Sequence, residues 1–151
     1  MTDLQHRTCE QTQVDESGIH YRSCGNSHYL SLNYHRSHSG TRDKKSVWAI
    51  PRPQECHTFC TAEAESWIDG RGNYWAVAAT EDENLGEDGE RVAFFENPNN
   101  PNNPWHGFPV GRRRGKGHPY RDSPPDDLVL KWRSSGRISY VEQQRILTRR
   151  R

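Results

Sequence analysis

Large aliphatic side chains are scarce in this chain. Leu, Ile, Val and Phe together supply 23 of 151 residues, under the roughly 20% below which a polypeptide has little from which to build a core. No window approaches the ~18 consecutive apolar residues of a membrane-spanning helix, so no membrane partner is expected. The opening residues MTDLQHRTCEQ lack the apolar stretch of a secretory signal, which predicts a soluble, cytoplasmic protein. Cysteine is sparse too, with four in all, and without a secretory signal the expected state is reduced thiol. No Gly-rich phosphate loop, nucleophile elbow or metalloprotease helix motif is present. No reaction is therefore named by a motif.

What the chain does hold is tryptophan. Trp48, Trp67, Trp75, Trp105 and Trp132 all lie in the middle and later parts, and each can bury on the order of 200 Å². A small aromatic core is feasible there. Residues 1–45 offer only Leu4, Val14, Ile19, Leu30 and Leu32 among polar neighbours, with no sustained period, and read as an irregular N-terminal arm with at most an edge strand near residues 28–34. The net charge of +1 argues against disorder throughout.

Residues 74–95 organise the centre. YWAVAAT and RVAFF flank the acidic loop EDENLGEDGE, the pattern of an antiparallel hairpin with a long connection. VWAI (47–50) reads as a short strand stopped by Pro51 and Pro53. The following CHTFCTAEAESWID is ambiguous, since Ala and Glu favour helix while Ala62, Ala64, Ser66 and Ile68 alternate with Glu63, Glu65 and Trp67. The turn Asp69-Gly70-Arg71-Gly72-Asn73 tips that stretch to strand and predicts a meander of three or four strands. NPNNPNNP (97–104) excludes helix and ladder and reads as a string of turns. Beyond it, Pro124 and the apolar set Leu128, Val129 and Trp132 predict a helix over 124–134, with Ser123 as cap. Gly136 supplies its stop, and Ser139 with Glu142 forms a capping-box pattern ahead of a second helix over 140–148. The expected fold is thus a small α+β protein. It comprises an irregular arm (1–45), an acidic β-rich region with an aromatic core and Asn/Pro spacer (46–110), and a basic loop followed by a C-terminal helical hairpin (111–151).

Charge is segregated along the chain. Residues 54–110 carry eleven acidic side chains against two basic, and residues 111–151 carry twelve basic against four acidic. Either the two blocks attract each other, within one fold or across a self-associated pair, or the basic end meets an external polyanion. Arg112, Arg113, Arg114, Lys116, Arg121, Arg133, Arg137, Arg145 and Arg149, interleaved with Tyr120, Trp132 and Tyr140, suit bidentate phosphate contact and base stacking. A non-enzymatic protein that contacts DNA or RNA, or another acidic partner, through this region is the leading expectation.

Two further constellations stand beside it. Cys24 and His28, and Cys56 and Cys60, are each four residues apart, an adequate ligand inventory for a structural zinc in a protein-interaction module. His106 and His118 flank the arginine run, and metal-independent RNA cleavage needs such a base and acid beside cations. That gives a small ribonuclease or toxin-like enzyme as an alternative. The acidic loop 81–90 lacks the calcium-loop register and reads as a solvated turn.

Overall fold

A computed structural model describes residues 8–37, 45–110 and 123–148. Strands β1 (Glu10–Asp15), β2 (Gly18–Arg22) and β3 (His28–Leu32) form one antiparallel sheet in that order, and β4 (Tyr74–Val77), β5 (Val92–Glu96) and β6 (His106–Val110) form another. Helix α1 (Arg52–Glu65) lies between the two in sequence, and α2 (Asp126–Ser134) and α3 (Tyr140–Thr148) close the described chain. The α+β architecture, the central antiparallel meander and the helical hairpin all agree with the sequence reading. No helix among the described residues is long and apolar enough to cross a membrane.

The first sheet departs from the expected irregular arm. Its opening hairpin is set by Asp15, whose Oδ1 accepts the amides of Ser17 (2.9 Å) and Gly18 (3.3 Å), a side-chain turn that fixes the reversal. β1 is exposed along its whole length, so apolar alternation was never required of it. β2 and β3 do turn residues inward, but His20 and Ser31 are among them. Polar side chains on buried positions hid the period-two signal.

The second sheet is joined to the first by a parallel bridge between Tyr29 and Trp105. There the Leu30 amide donates to the Trp105 carbonyl and the Trp105 amide to the His28 carbonyl, each at 2.8 Å. Within the meander Gly107 stands opposite Phe95, and a Cβ at that position would lie 2.3 Å from the Phe95 ring. Only glycine leaves the ring its room. VWAI does not become a full strand; Trp48 makes an isolated bridge to Gly86 in the acidic loop.

The ambiguous stretch after the prolines is helix, not strand. Arg52 and Pro53 open α1, and Ser66 ends it in the left-handed region (φ 58°). Its buried side chains are Glu55, Cys56, Phe59, Cys60 and Ala62, a spacing of three and four that draws one helical face. Because one of the five is a carboxylate and two are thiol residues, the stripe looks polar in sequence. Phe59 is the hub: its ring centroid lies 5.0 Å from Tyr29, 5.3 Å from Phe95, 5.4 Å from Trp105 and 5.7 Å from Tyr74. Rings of β3, β4 and β5, with Trp105 just before β6, meet on that one side chain.

Glu55 is fully buried. Its carboxylate accepts from Tyr29 Oη, from Ser31 Oγ (2.7 Å) and from the Arg36 guanidinium. Burial pushes its carboxyl up, while Arg36 and the hydroxyls of Tyr29 and Ser31 oppose that push. Arg52 adds a 2.7 Å bond to the Ser31 carbonyl. Removing one member of such a set strands the others in low dielectric.

The turn before β4 forms as the sequence suggested. Asp69 Oδ1 accepts the amides of Arg71 and Asn73, and Oδ2 accepts the Trp75 indole at 2.9 Å. Burial alone would raise this carboxyl. The Trp75 indole and the Asn73 and Arg71 amides outweigh it and hold it below its ordinary value.

The helical hairpin is close to the expected one. α2 begins two residues later than predicted, with Pro125 rather than Ser123 at the cap position and no side-chain cap bond. Leu128, Val129 and Trp132 are its buried face, and Trp132 meets Trp67 edge-on at 5.6 Å. Gly136 takes φ +84°, the left-handed stop that glycine permits. The Glu142 amide donates to Ser139 Oγ at 3.1 Å, so half of the capping box is made.

Two outcomes follow. Glu55→Ala should lower unfolding free energy by about 3–5 kcal/mol, since it leaves a buried guanidinium and two hydroxyls without their acceptor; urea unfolding measures it. Asp69 has a lowered folded pKa, so its contribution is complete above the ordinary carboxylate range and is lost as pH falls through the folded value. Urea midpoints taken below about pH 5 should therefore fall more steeply for the unsubstituted protein than for Asp69→Ala.

Candidate functional site

The positive region is reached through α2 and α3. Arg112, Arg113, Arg114, Lys116, Arg121 and Arg149, with His118, lie outside the described residues. Of the others, Lys131 and Arg133 stand exposed on α2. The Arg137 guanidinium lies over the Trp67 ring, 5.0 Å from its centroid. Arg145 is exposed on α3 and borders a cleft of about 370 Å³ with Glu81, Asn84, Arg91 and Glu142.

Arg91 and Glu142 organise that cleft. Arg91 Nε donates to Glu142 Oε2 and Nη2 to Oε1, both at 2.9 Å, the bidentate geometry in which a guanidinium matches a carboxylate. Nη1 reaches back to the Thr80 carbonyl and, at 2.5 Å, to that of Glu83. One cation thereby ties the acidic loop to the first turn of α3. Glu142 is consequently turned away from the reciprocal half of its capping box.

The sulfurs of Cys9, Cys56 and Cys60 meet in one place, and Cys24 adjoins them. Cys9 and Cys56 are joined as a disulfide, in contrast to the expected set of reduced thiols, and Cys24 and Cys60 are buried thiols. Cys60 Sγ lies 3.4 Å from Cys9 Sγ and accepts the Cys24 amide at 2.9 Å. Cys9, Cys56 and Cys60 place their sulfurs within 4.8 Å of one another. Burial, and then the neighbouring Cys24 side chain, push the Cys60 thiol far up, which keeps it protonated and poorly nucleophilic. The structure thus brings together the sulfurs of Cys56 and Cys60 from the expected ligand set and adds that of Cys9, while Cys24 adjoins them through its amide. His28 is engaged elsewhere. Cys9 had no nearby partner in sequence to signal it, being 47 residues from Cys56.

His28 belongs to a relay across the first sheet. Asp15 Oδ2 and His20 Nε2 are 2.7 Å apart, and His20 Nδ1 and His28 Nε2 are also 2.7 Å apart. The carboxylate selects the His20 tautomer with a proton on Nε2, so neutral His20 accepts from His28 through Nδ1. Burial and then His20 lower the His28 pKa, and the His20 hydrogen bond is the main reason Asp15 is lowered. Such a chain can orient a base. Among the described residues, however, no nucleophilic side chain hydrogen-bonds His28. The register that makes the relay, with Arg22 opposite His28 and His20 opposite Leu30, could be seen only once β2 and β3 were known to pair.

His106, the other half of the expected ribonuclease pair, faces Glu96 across the meander. Burial lowers its pKa, partly opposed by Glu96, and its Nδ1 is buried without a hydrogen-bond partner among the described residues.

No protein-family model, curated protein or solved structure matches this chain. Its own residues carry the functional argument.

Arg91→Ala should cost about 3 kcal/mol, because Glu142 and two loop carbonyls lose a partly buried cation. Hydrogen exchange should show amides of residues 126–148 losing protection before those of the two sheets.

Proposed function

We propose that this chain is a small non-catalytic binding protein whose C-terminal cations contact the phosphates of DNA or RNA, in a cytoplasmic setting. The observation that carries the reading is how the basic block spends its charge. An ion pair between the acidic and basic blocks, Arg91 with Glu142, takes its cation from the acidic block and its carboxylate from the basic one. Lys131, Arg133 and Arg137 have no carboxylate at ion-pair distance among the described residues. Mutual neutralisation of the two blocks therefore leaves these cations unused. Trp67 supports Arg137 from below, and a guanidinium held on an aromatic ring keeps its edge available for phosphate.

Phosphate contact has a thermodynamic signature. Each neutralised phosphate releases condensed counterion, so affinity falls with salt in proportion to the number of contacts. Fluorescence anisotropy with labelled single-stranded RNA and duplex DNA should show steep loss of affinity between about 50 and 200 mM salt. Arg112, Arg113 and Arg114 changed together to Ala should flatten the log–log slope by about 2–3, and Arg133→Ala by about 1. Absence of binding to both polymers at the low-salt end overturns the proposal. Binding whose slope is unchanged in both variants assigns the contact to other residues and overturns it equally.

A further inference from the structure

We propose that Cys9, Cys24, Cys56 and Cys60 form a four-sulfur site for one structural Zn²⁺. This rests on the cysteine geometry alone and is independent of phosphate binding by the C-terminal region.

The convergence is the first argument. Cys56 and Cys60 are one helical turn apart on the buried face of α1, the spacing at which two side chains project side by side. Cys9 stands at the threshold of β1. Cys24 sits in the turn between β2 and β3, a turn closed by the Asn26 amide on the Ser23 carbonyl (2.9 Å) and the Ser23 amide on the Ser27 carbonyl (2.8 Å). Two separate pieces of chain thus deliver the sulfurs of Cys9, Cys56 and Cys60 to one locus, and a third, the β2–β3 turn, lays Cys24 against Cys60. A disulfide uses two of them and gives no reason for two more thiols to be buried against it.

The distances are the second argument. With Zn–S near 2.3 Å, the edges of a tetrahedral site are about 3.8 Å. Cys9 and Cys60 are already 3.4 Å apart, and Cys56 lies inside the same 4.8 Å limit. The Cys24 amide donates to Cys60 Sγ at 2.9 Å, the kind of outer contact that orients and stabilises a ligating sulfur; the Cys24 sulfur is not within that limit of all three others and is the ligand that zinc has to draw in. The soft, all-sulfur donor set selects zinc over hard cations, and four protein ligands leave no open position. That closed set makes the role structural.

The step from the disulfide form balances simply. A dithiol reductant gives two electrons and two protons to the Cys9–Cys56 bond, which breaks to two thiols while the reductant becomes a disulfide. The four thiols then release four protons as Zn²⁺ enters, with no change in the oxidation state of the metal. Loss of the covalent crosslink is offset by a metal that holds the N-terminal segment, the β2–β3 turn and α1 together.

The test uses the full chain purified in the presence of a dithiol and then exchanged into metal-free buffer. Elemental analysis should find one zinc per chain, and replacement with Co²⁺ should give the intense visible bands of a tetrahedral thiolate complex along with a sulfur-to-cobalt charge-transfer band. Cys9→Ser and Cys24→Ser should each abolish or blue-shift those bands, whereas His28→Ala should leave them intact. Removing zinc with a chelator should lower the thermal midpoint of the reduced protein, and adding zinc back should restore it. A reduced, folded chain that takes up neither zinc nor Co²⁺ overturns the proposal, as the cobalt spectrum of the unsubstituted protein does not depend on any variant folding. Retention of the bands in Cys9→Ser with their loss in His28→Ala overturns the ligand set.

Discussion

One face of α1 is the constraint on which the rest of the described structure depends. Glu55 gathers hydroxyls of β3 and the Arg36 guanidinium, Phe59 gathers rings from both sheets, and Cys56 and Cys60 reach the N-terminal segment. One turn further, Glu63 accepts from Ser23 Oγ at 2.7 Å and from Ser27 Oγ. Each small sheet has three strands, which is near the lower limit for independent stability. The helix gives them a common inner surface. Without it, the Tyr29–Trp105 bridge would be left to hold two marginal sheets side by side.

That arrangement explains how a chain so poor in aliphatics folds. Its core substitutes aromatic rings, sulfur and a satisfied buried carboxylate for the leucines and valines of an ordinary domain. Rings bury large area with few rotatable bonds, so few of them suffice. The polar members add specificity of position, since a carboxylate with three donors tolerates little displacement of any of them. Such a core is demanding: each polar member is stabilising only while its partners are present.

The same chemistry decided what was legible in the sequence. The C-terminal hairpin was readable because Leu128, Val129, Trp132, Gly136 and Ser139 obey local rules at local spacing. Two strands of the meander, β4 and β5, were readable from their apolar runs, whereas β6 (His106–Val110) was not, its five residues including a glycine and a proline. Helix α1 was not, because its buried stripe contains Glu55 and two cysteines, and the alternation of Ala62 to Ile68 mimicked a strand. The first sheet was not, because β1 has no buried face and β2 and β3 bury His20 and Ser31. The sulfur cluster was half legible. The four-residue spacing paired Cys56 with Cys60, and Cys24 was expected beside them together with His28, but Cys9 joins only through tertiary structure.

Charge bookkeeping places the positive pole more narrowly than the sequence blocks suggested. Within residues 123–148 there are four basic side chains, Lys131, Arg133, Arg137 and Arg145, against the three acids Asp126, Asp127 and Glu142. The helical hairpin is therefore nearly neutral. The excess sits in residues 111–122, with five basic and one acidic, and in the three arginines 149–151, which adjoin its two ends in sequence. The near-neutrality of the hairpin as a whole does not remove its exposed cations: Lys131 and Arg133 remain on the open side of α2. The Arg91–Glu142 pair and the Trp67–Trp132 contact fix that hairpin to the core, one through charge and the other through ring packing.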